Sequence, residues 1–233
     1  MKIRTLKYSR IKQSEAVIVL CGGPSVTNNA DRINEYVRKY NAVVFGSNYS
    51  FDCIGIKSDY TYIANDFKLH ENIKKINNEV IIPAKVFSGE FPPEDTRKLL
   101  KAHPYKIYQA GIKANPTTYT IKKGIVKILS DGQIQYSRLS SAGHGCMLVS
   151  LLCRPQRMLL VGLDGPTDNT FKEKIMFDGR VQKYGKPQKH ENFKNHFVNV
   201  IVPTVQHHVV QIETFEDVGI YQLDKNKLGI NII

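Results

Sequence analysis

Ala16-Val17-Ile18-Val19-Leu20-Cys21-Gly22-Gly23-Pro24-Ser25 is the stretch on which the reading of the whole chain turns. Its first six residues are apolar without interruption. A strand wetted on one face would alternate apolar with polar, so this run predicts a strand buried on both faces, as in a parallel sheet. Gly22-Gly23-Pro24 stops it. Residues 25–40 then carry Asn and Asp near their start and place Ile33, Tyr36, Val37 and Tyr40 at helical spacing, which predicts one amphipathic helix capped on its N-terminal side.

The same unit recurs along the chain. Strands are predicted at 42–46 (AVVFG), at 60–64 (YTYIA) and from Val80, and residues 87–123, rich in Pro, Gly and Tyr, read as a variable region of short elements. Ser140-Ser141-Ala142-Gly143-His144-Gly145-Cys146 opens an apolar helix that stops at Arg154-Pro155, and a strand follows at 157–162. The loop after it, about 165–190, is charged and lid-like. A helix over 190–206 is broken or kinked at Pro203, and strands at 209–212 and 219–223 close the chain. Alternating strands and helices predict a three-layer α/β fold with a mostly parallel, Rossmann-like sheet, one domain over 1–233 and a lid-like insertion.

Composition narrows the function classes. The 233 residues can bury one large core, and no apolar run approaches the length that spans a bilayer. The basic N-terminus has no secretory pattern, so a cytoplasmic location is expected. Cys21, Cys53, Cys146 and Cys153 are scattered and form no CxxC pair, which argues against a zinc ribbon or a disulfide framework. Cys21 and Cys146 read as structural thiols, and no metal site is assigned. A net charge of +12 would draw in anionic partners: a glycan, DNA or an anionic membrane surface on which the protein sits peripherally.

Candidate chemistry gathers at strand ends. Gly22, Gly23, Pro24 and Ser25 lie between a buried strand and a helix, where missing Cβ atoms and a helix N-terminus suit a phosphate or ribose. The spacing matches neither the dinucleotide GxGxxG nor the phosphate-loop motif. Ser141 and Gly143 open a second helix, and His144 between two glycines reads as a binding residue whose basicity the helix dipole lowers. Asn48, Asn65, Asp66 and Asp164 all follow predicted strands, the edge where open α/β sheets bind ligands, although each residue type also serves turns and caps.

In this order, the Gly-Gly-Pro-Ser loop, Phe45-Gly46-Ser47-Asn48, Ile63-Ala64-Asn65-Asp66, Ser141-Ala142-Gly143 and Leu160-Val161-Gly162-Leu163-Asp164 resemble the superfamily of bacterial CMP-sialic-acid-dependent sialyltransferases. By fold, that superfamily includes flagellin-modifying glycosyltransferases and archaeal 6-hydroxymethylpterin pyrophosphokinase-like proteins. The resemblance implies that a nucleotide-sugar donor is held by Gly22, Gly23, Ser25, Asn48, Asn65, Ser141 and Gly143. It also implies that a histidine beyond the lid, His196 or else His190, acts as general base without a cofactor. Only Tyr184 stands where that family has a tyrosine pair on the leaving phosphate, which departs from a sialic acid donor. Two other readings stay open. A pyrophosphokinase-like enzyme would hold Mg²⁺ on Asp66 and Asp164, and a non-catalytic nucleotide-binding protein would keep the loop without a base.

Overall fold

A computed structural model describes residues 3–83, 86–87, 90–110, 112–113, 127–128, 134–136, 141–165, 173–183 and 187–233. Its strands are β1 (Arg4–Thr5), β2 (Ala16–Leu20), β3 (Val43–Ser47), β4 (Tyr60–Tyr62), β5 (Glu79–Pro83), β6 (Ile107–Ala110) and β7 (Ile112–Lys113). They continue as β8 (Lys127–Ile128), β9 (Ile134–Tyr136), β10 (Arg157–Val161), β11 (Glu173–Ile175), β12 (Val181–Lys183), β13 (Gln211–Thr214) and β14 (Asn231–Ile232). The helices are α1 (Ser25–Asn28), α2 (Ala30–Tyr40), α3 (Asp66–Asn72), α4 (Pro93–Ala102), α5 (Ala142–Ser150), α6 (Pro187–His196) and α7 (Val202–His207).

Nine strands form one sheet in the order β1-β6-β5-β4-β3-β2-β10-β13-β14. Every neighbouring pair in it is parallel. All five residues of β2 are buried, as an unbroken apolar run in a central parallel strand requires. From β2 the chain steps through β3, β4, β5 and β6, then returns to lay β10 on the other side of β2. The order therefore reverses between β2 and β10, the switch point beside which open parallel sheets generally bind their ligands.

The pleat shows that helices lie on both faces. Ile18 pairs with Leu159 and Leu159 with Glu213, so the three share a face. Tyr36 of α2 reaches that face, its hydroxyl donating to Glu213 Oε2. Cys21 continues the β2 ladder with opposite parity, and α5 approaches there: a Cβ on Gly143 would stand 2.7 Å from Cys21 Sγ. Gly145 of α5 likewise packs against the Tyr62 ring of β4. Helix, sheet and helix make the three layers.

Glu213 is a buried carboxylate, 2% exposed, shared by the Tyr36 hydroxyl and by Arg157 Nη1 at 3.3 Å. Burial, and after it Glu213, pushes the Tyr36 phenol well above its ordinary value, so it serves as a donor. Replacing Tyr36→Phe removes one partner of a buried anion, and chemical denaturation should show a loss of about 1–3 kcal/mol. An unchanged midpoint would show that Arg157 alone satisfies Glu213.

Several local expectations differ from the structure. The helix predicted over 25–40 is two, because Asn29 (φ −115°, ψ 20°) interrupts it. The strand predicted at 209–212 begins two residues later, after Val209 at φ 59°. Residues 219–223 were expected to form a strand, and Ile220–Gln222 form a 3₁₀ turn instead. At Pro203 the helix widens rather than breaking. Phe197–Ile201 form a π-turn in which Val202 N–H donates to Phe197 O, and Pro203, with no N–H to give, falls in the first turn of α7.

The lid-like region is in part a hairpin, β11 paired antiparallel with β12. Residues 166–172 and 184–186, Tyr184 among them, lie outside those described, as does much of 111–140. The hairpin's turn is pinned: Phe177 N–H donates to Gly22 O at 3.0 Å, and Thr27 Oγ1 donates to Phe177 O. Met176 and Phe177 are buried, with Phe177 4.7 Å from the Phe51 ring.

Candidate functional site

Between β2 and β10 the Gly-Gly-Pro-Ser loop meets the Gly162-Leu163-Asp164 turn. Gly23 N–H donates to Gly162 O at 2.9 Å, Ser25 N–H to Asp164 Oδ2 at 2.9 Å, and Gly162 N–H to Ser25 Oγ at 3.0 Å. The sequence reading set these amides toward a phosphate. In the structure the Asp164 carboxylate occupies the first amide of α1, and its other oxygen accepts from Gly219 N at 3.3 Å. Val26, Thr27 and Asn28 donate to carbonyls of Gly23 and Pro24.

The glycines have a packing cause. A Cβ on Gly22 would collide with Met176, and one on Gly23 with the Asp164 carboxylate, 2.7 Å from Gly162 O. Gly23→Ala should therefore break the Ser25 to Asp164 bond and destabilise the fold by about 1–3 kcal/mol. Urea unfolding checks this, and a wild-type midpoint would contradict the packing account.

The strand-end residues have structural partners too. Asn48, at φ 68°, accepts from Ala64 N–H through Oδ1 and donates its own N–H to Tyr62 O, tying β3 to β4. Asn65 caps α3 through Lys68 N–H. Asp66, 3% exposed, accepts from Phe67 N–H and, across a loop, from Phe91 N–H at 2.9 Å. Ser141 caps α5 through His144 N–H. Cys21, Cys146 and Cys153 are buried and outside any disulfide, and burial raises Cys146 and Cys153 away from reactivity.

The groups that do come together are imidazoles and a phenol. His144, 0% exposed, stands with Nδ1 3.1 Å from His196 Nδ1 and Nε2 3.1 Å from the Tyr221 hydroxyl. Phe197 stacks 5.8 Å from His144, and Tyr221 lies edge-on to both rings. Full burial removes His144 from direct contact with a donor and gives it a supporting place. Its pKa is pushed down to about 3, first by burial and then by His196, rather than by the helix dipole alone. His196 is half-buried at the end of α6, beside the π-turn. His190 lies on the same helix, six residues earlier, and its side chain is outside those described.

Tyr221 falls in a stretch whose sequence predicts a strand, and no local pattern signals its link to His144. Ile220, Tyr221 and Gln222 have φ values of 27°, 54° and 58°, a left-handed triplet that costs side-chain-bearing residues of the order of 1 kcal/mol each. Tyr221 N–H donating to Leu163 O at 2.8 Å holds the triplet against the β10 turn.

Two proton arrangements fit this geometry, and one of them supplies a base. His144 stays neutral and has one ring proton. With that proton on Nε2, donated to the Tyr221 oxygen, His144 Nδ1 accepts from His196 Nδ1–H, and His196 Nε2 carries the lone pair of a base. Uptake of a proton at His196 Nε2 then leaves every bond of the chain in place.

A doubly wound parallel sheet, with a histidine pair and a tyrosine beside its topological switch point, defines a three-layer α/β protein of Rossmann-like type. The fold is similar to the structure of MAf glycosyltransferase from Magnetospirillum magneticum AMB-1, with a TM-score of 0.58 and 13% identity over 91% of this chain. The chain spans about a third of that protein, 33% of its length. No protein-family profile matches the chain, and no curated protein matches it in sequence. Among the described residues no helix is long and apolar enough to cross a membrane.

Proposed function

We propose that this protein transfers a sugar from a nucleotide-activated donor to a hydroxyl acceptor, with His196 as general base. The His196–His144–Tyr221 chain at the carboxyl edge of the sheet carries the reading, because it sets a half-buried imidazole 3.1 Å from a buried histidine that is itself 3.1 Å from a tyrosine hydroxyl. The glycosyltransferase fold supports it. The donor would lie against the joined loops after β2 and β10. Gly22, Gly23, Pro24 and Ser25 shape this surface, with Asp164 holding it together. Ser141, Gly143 and the strand-end Asn48 and Asn65 border it, and no cofactor is required.

Attack by an acceptor hydroxyl on the anomeric carbon would form the new glycosidic bond as the bond to phosphate breaks, inverting that centre. The acceptor proton goes to His196 Nε2 and the electron pair to the leaving phosphate. The Mg²⁺-dependent pyrophosphokinase alternative would use Asp66 and Asp164. Each of these carboxylates already accepts two backbone N–H groups, which favours glycosyl transfer. A thermal-shift screen of CMP, UDP, GDP, ATP and their sugars tests the proposal. A response to a pyrimidine nucleotide that persists in EDTA is the expected outcome, and no response to any nucleotide would refute it.

A further inference from the structure

A concave site lies on the same sheet edge, between the loop that follows β3, the end of α3 and the pinned hairpin. It is a groove of about 440 Å³, a size typical of small-molecule sites. Tyr49 and Phe177 form its apolar wall, their ring centroids 5.7 Å apart. The same two residues back onto the Gly-Gly-Pro-Ser loop: Tyr49 lies 3.1 Å from where a Gly22 Cβ would be, and Phe177 N–H donates to Gly22 O.

The polar lining is charge-balanced, in contrast with the +12 chain as a whole. Lys75 and Arg180 contribute two positive charges, and Asp52 and Asp178 two negative ones. Arg180 is also committed. Its Nε and Nη2 both meet Asp178 Oδ2 at 2.6 Å, and its Nη1 meets Glu71 at 3.3 Å. A guanidinium held between two carboxylates offers little net field to a phosphate. It still presents fixed, planar N–H groups beside carboxylate oxygens and the amide of Asn77. Fixed donors and acceptors around aromatic edges match a ligand that is apolar on its C–H faces and hydroxylated at its rim.

Building on the glycosyl-transfer reading, we infer that this groove binds the uncharged carbohydrate portion of the acceptor.

Cys53 lines the groove and, among the described residues, is the exposed thiol. It provides a readout that needs neither donor nor turnover. The full chain is labelled with a maleimide alone, with methyl glycosides of galactose, glucose, mannose and N-acetylglucosamine in turn, and with inorganic phosphate at matched ionic strength. At least one glycoside should slow labelling saturably, by about twofold at a concentration equal to its Kd. Phosphate should not slow it. Asn77→Ala, an exposed position whose change leaves the core intact, should weaken the protection about fivefold or more.

Labelling that no glycoside slows, or that phosphate slows instead, overturns the assignment. Because the assay contains no nucleotide, it separates the two readings. Glycoside protection in a protein that binds no nucleotide keeps the groove and removes the transferase. Nucleotide binding without protection removes the groove alone.

Discussion

His196→Ala should lower turnover by about 10²–10⁴-fold while leaving donor affinity within about twofold of wild type. In the proposed mechanism the imidazole takes the acceptor proton, and its Nδ1 stands 3.1 Å from Nδ1 of the buried His144. Removing it deletes the base without disturbing the loops after β2 and β10. His190→Ala, six residues earlier on α6, should retain turnover. Single-turnover kinetics with saturating donor read both. Full activity in His196→Ala together with loss in His190→Ala would transfer the role to the other histidine, and full activity in both would leave the mechanism without its base.

The second large effect concerns acid. His144 has a folded pKa of about 3 against an unfolded value near 6.5, because burial excludes its charge and His196 adds to the cost. The unfolded chain takes up that proton below about pH 6.5, and the folded chain refuses it until about pH 3. The group's contribution is therefore complete above pH 6.5 and is lost progressively as pH falls through that window. Between about pH 7.5 and 4.5 it amounts to roughly 2–3 kcal/mol. His144→Gln and His144→Asn keep a polar group near one ring nitrogen each and cannot titrate. Their unfolding free energies should fall less steeply with acid than that of wild type, by this difference. Parallel pH profiles would mean that His144 takes up its proton alike in the folded and unfolded chain.

What could be read from the sequence was set by local pattern. The uninterrupted apolar β2 and the Ser141 cap with small residues behind it were visible because each signal lies within ten residues. From them followed the parallel sheet and the switch point at its carboxyl edge. What fills that edge was not visible. Gly22 and Gly23 look the same whether they face a phosphate or the protein's own Asp164 and Met176, which stand about 140 residues or more further along the chain. Residues 219–223 read as a strand, and the left-handed turn found there is held by the long-range bond from Tyr221 N–H to Leu163 O. His144 was noticed for its flanking glycines and assigned to the donor. Its full burial and its pairing with His196 and Tyr221 are tertiary facts that no spacing encodes.

The reversal of strand order between β2 and β10 also constrains how the molecule comes into being. The first of these strands is made early, at residues 16–20, and its neighbour only at 157–161. Until then β2 has one exposed lateral edge, a template for wrong pairing. The seam is thus absent from any nascent chain that ends short of β10, and contacts of such long sequence separation slow assembly. Ligands that grip this seam would favour chains in which the two halves of the sheet have joined.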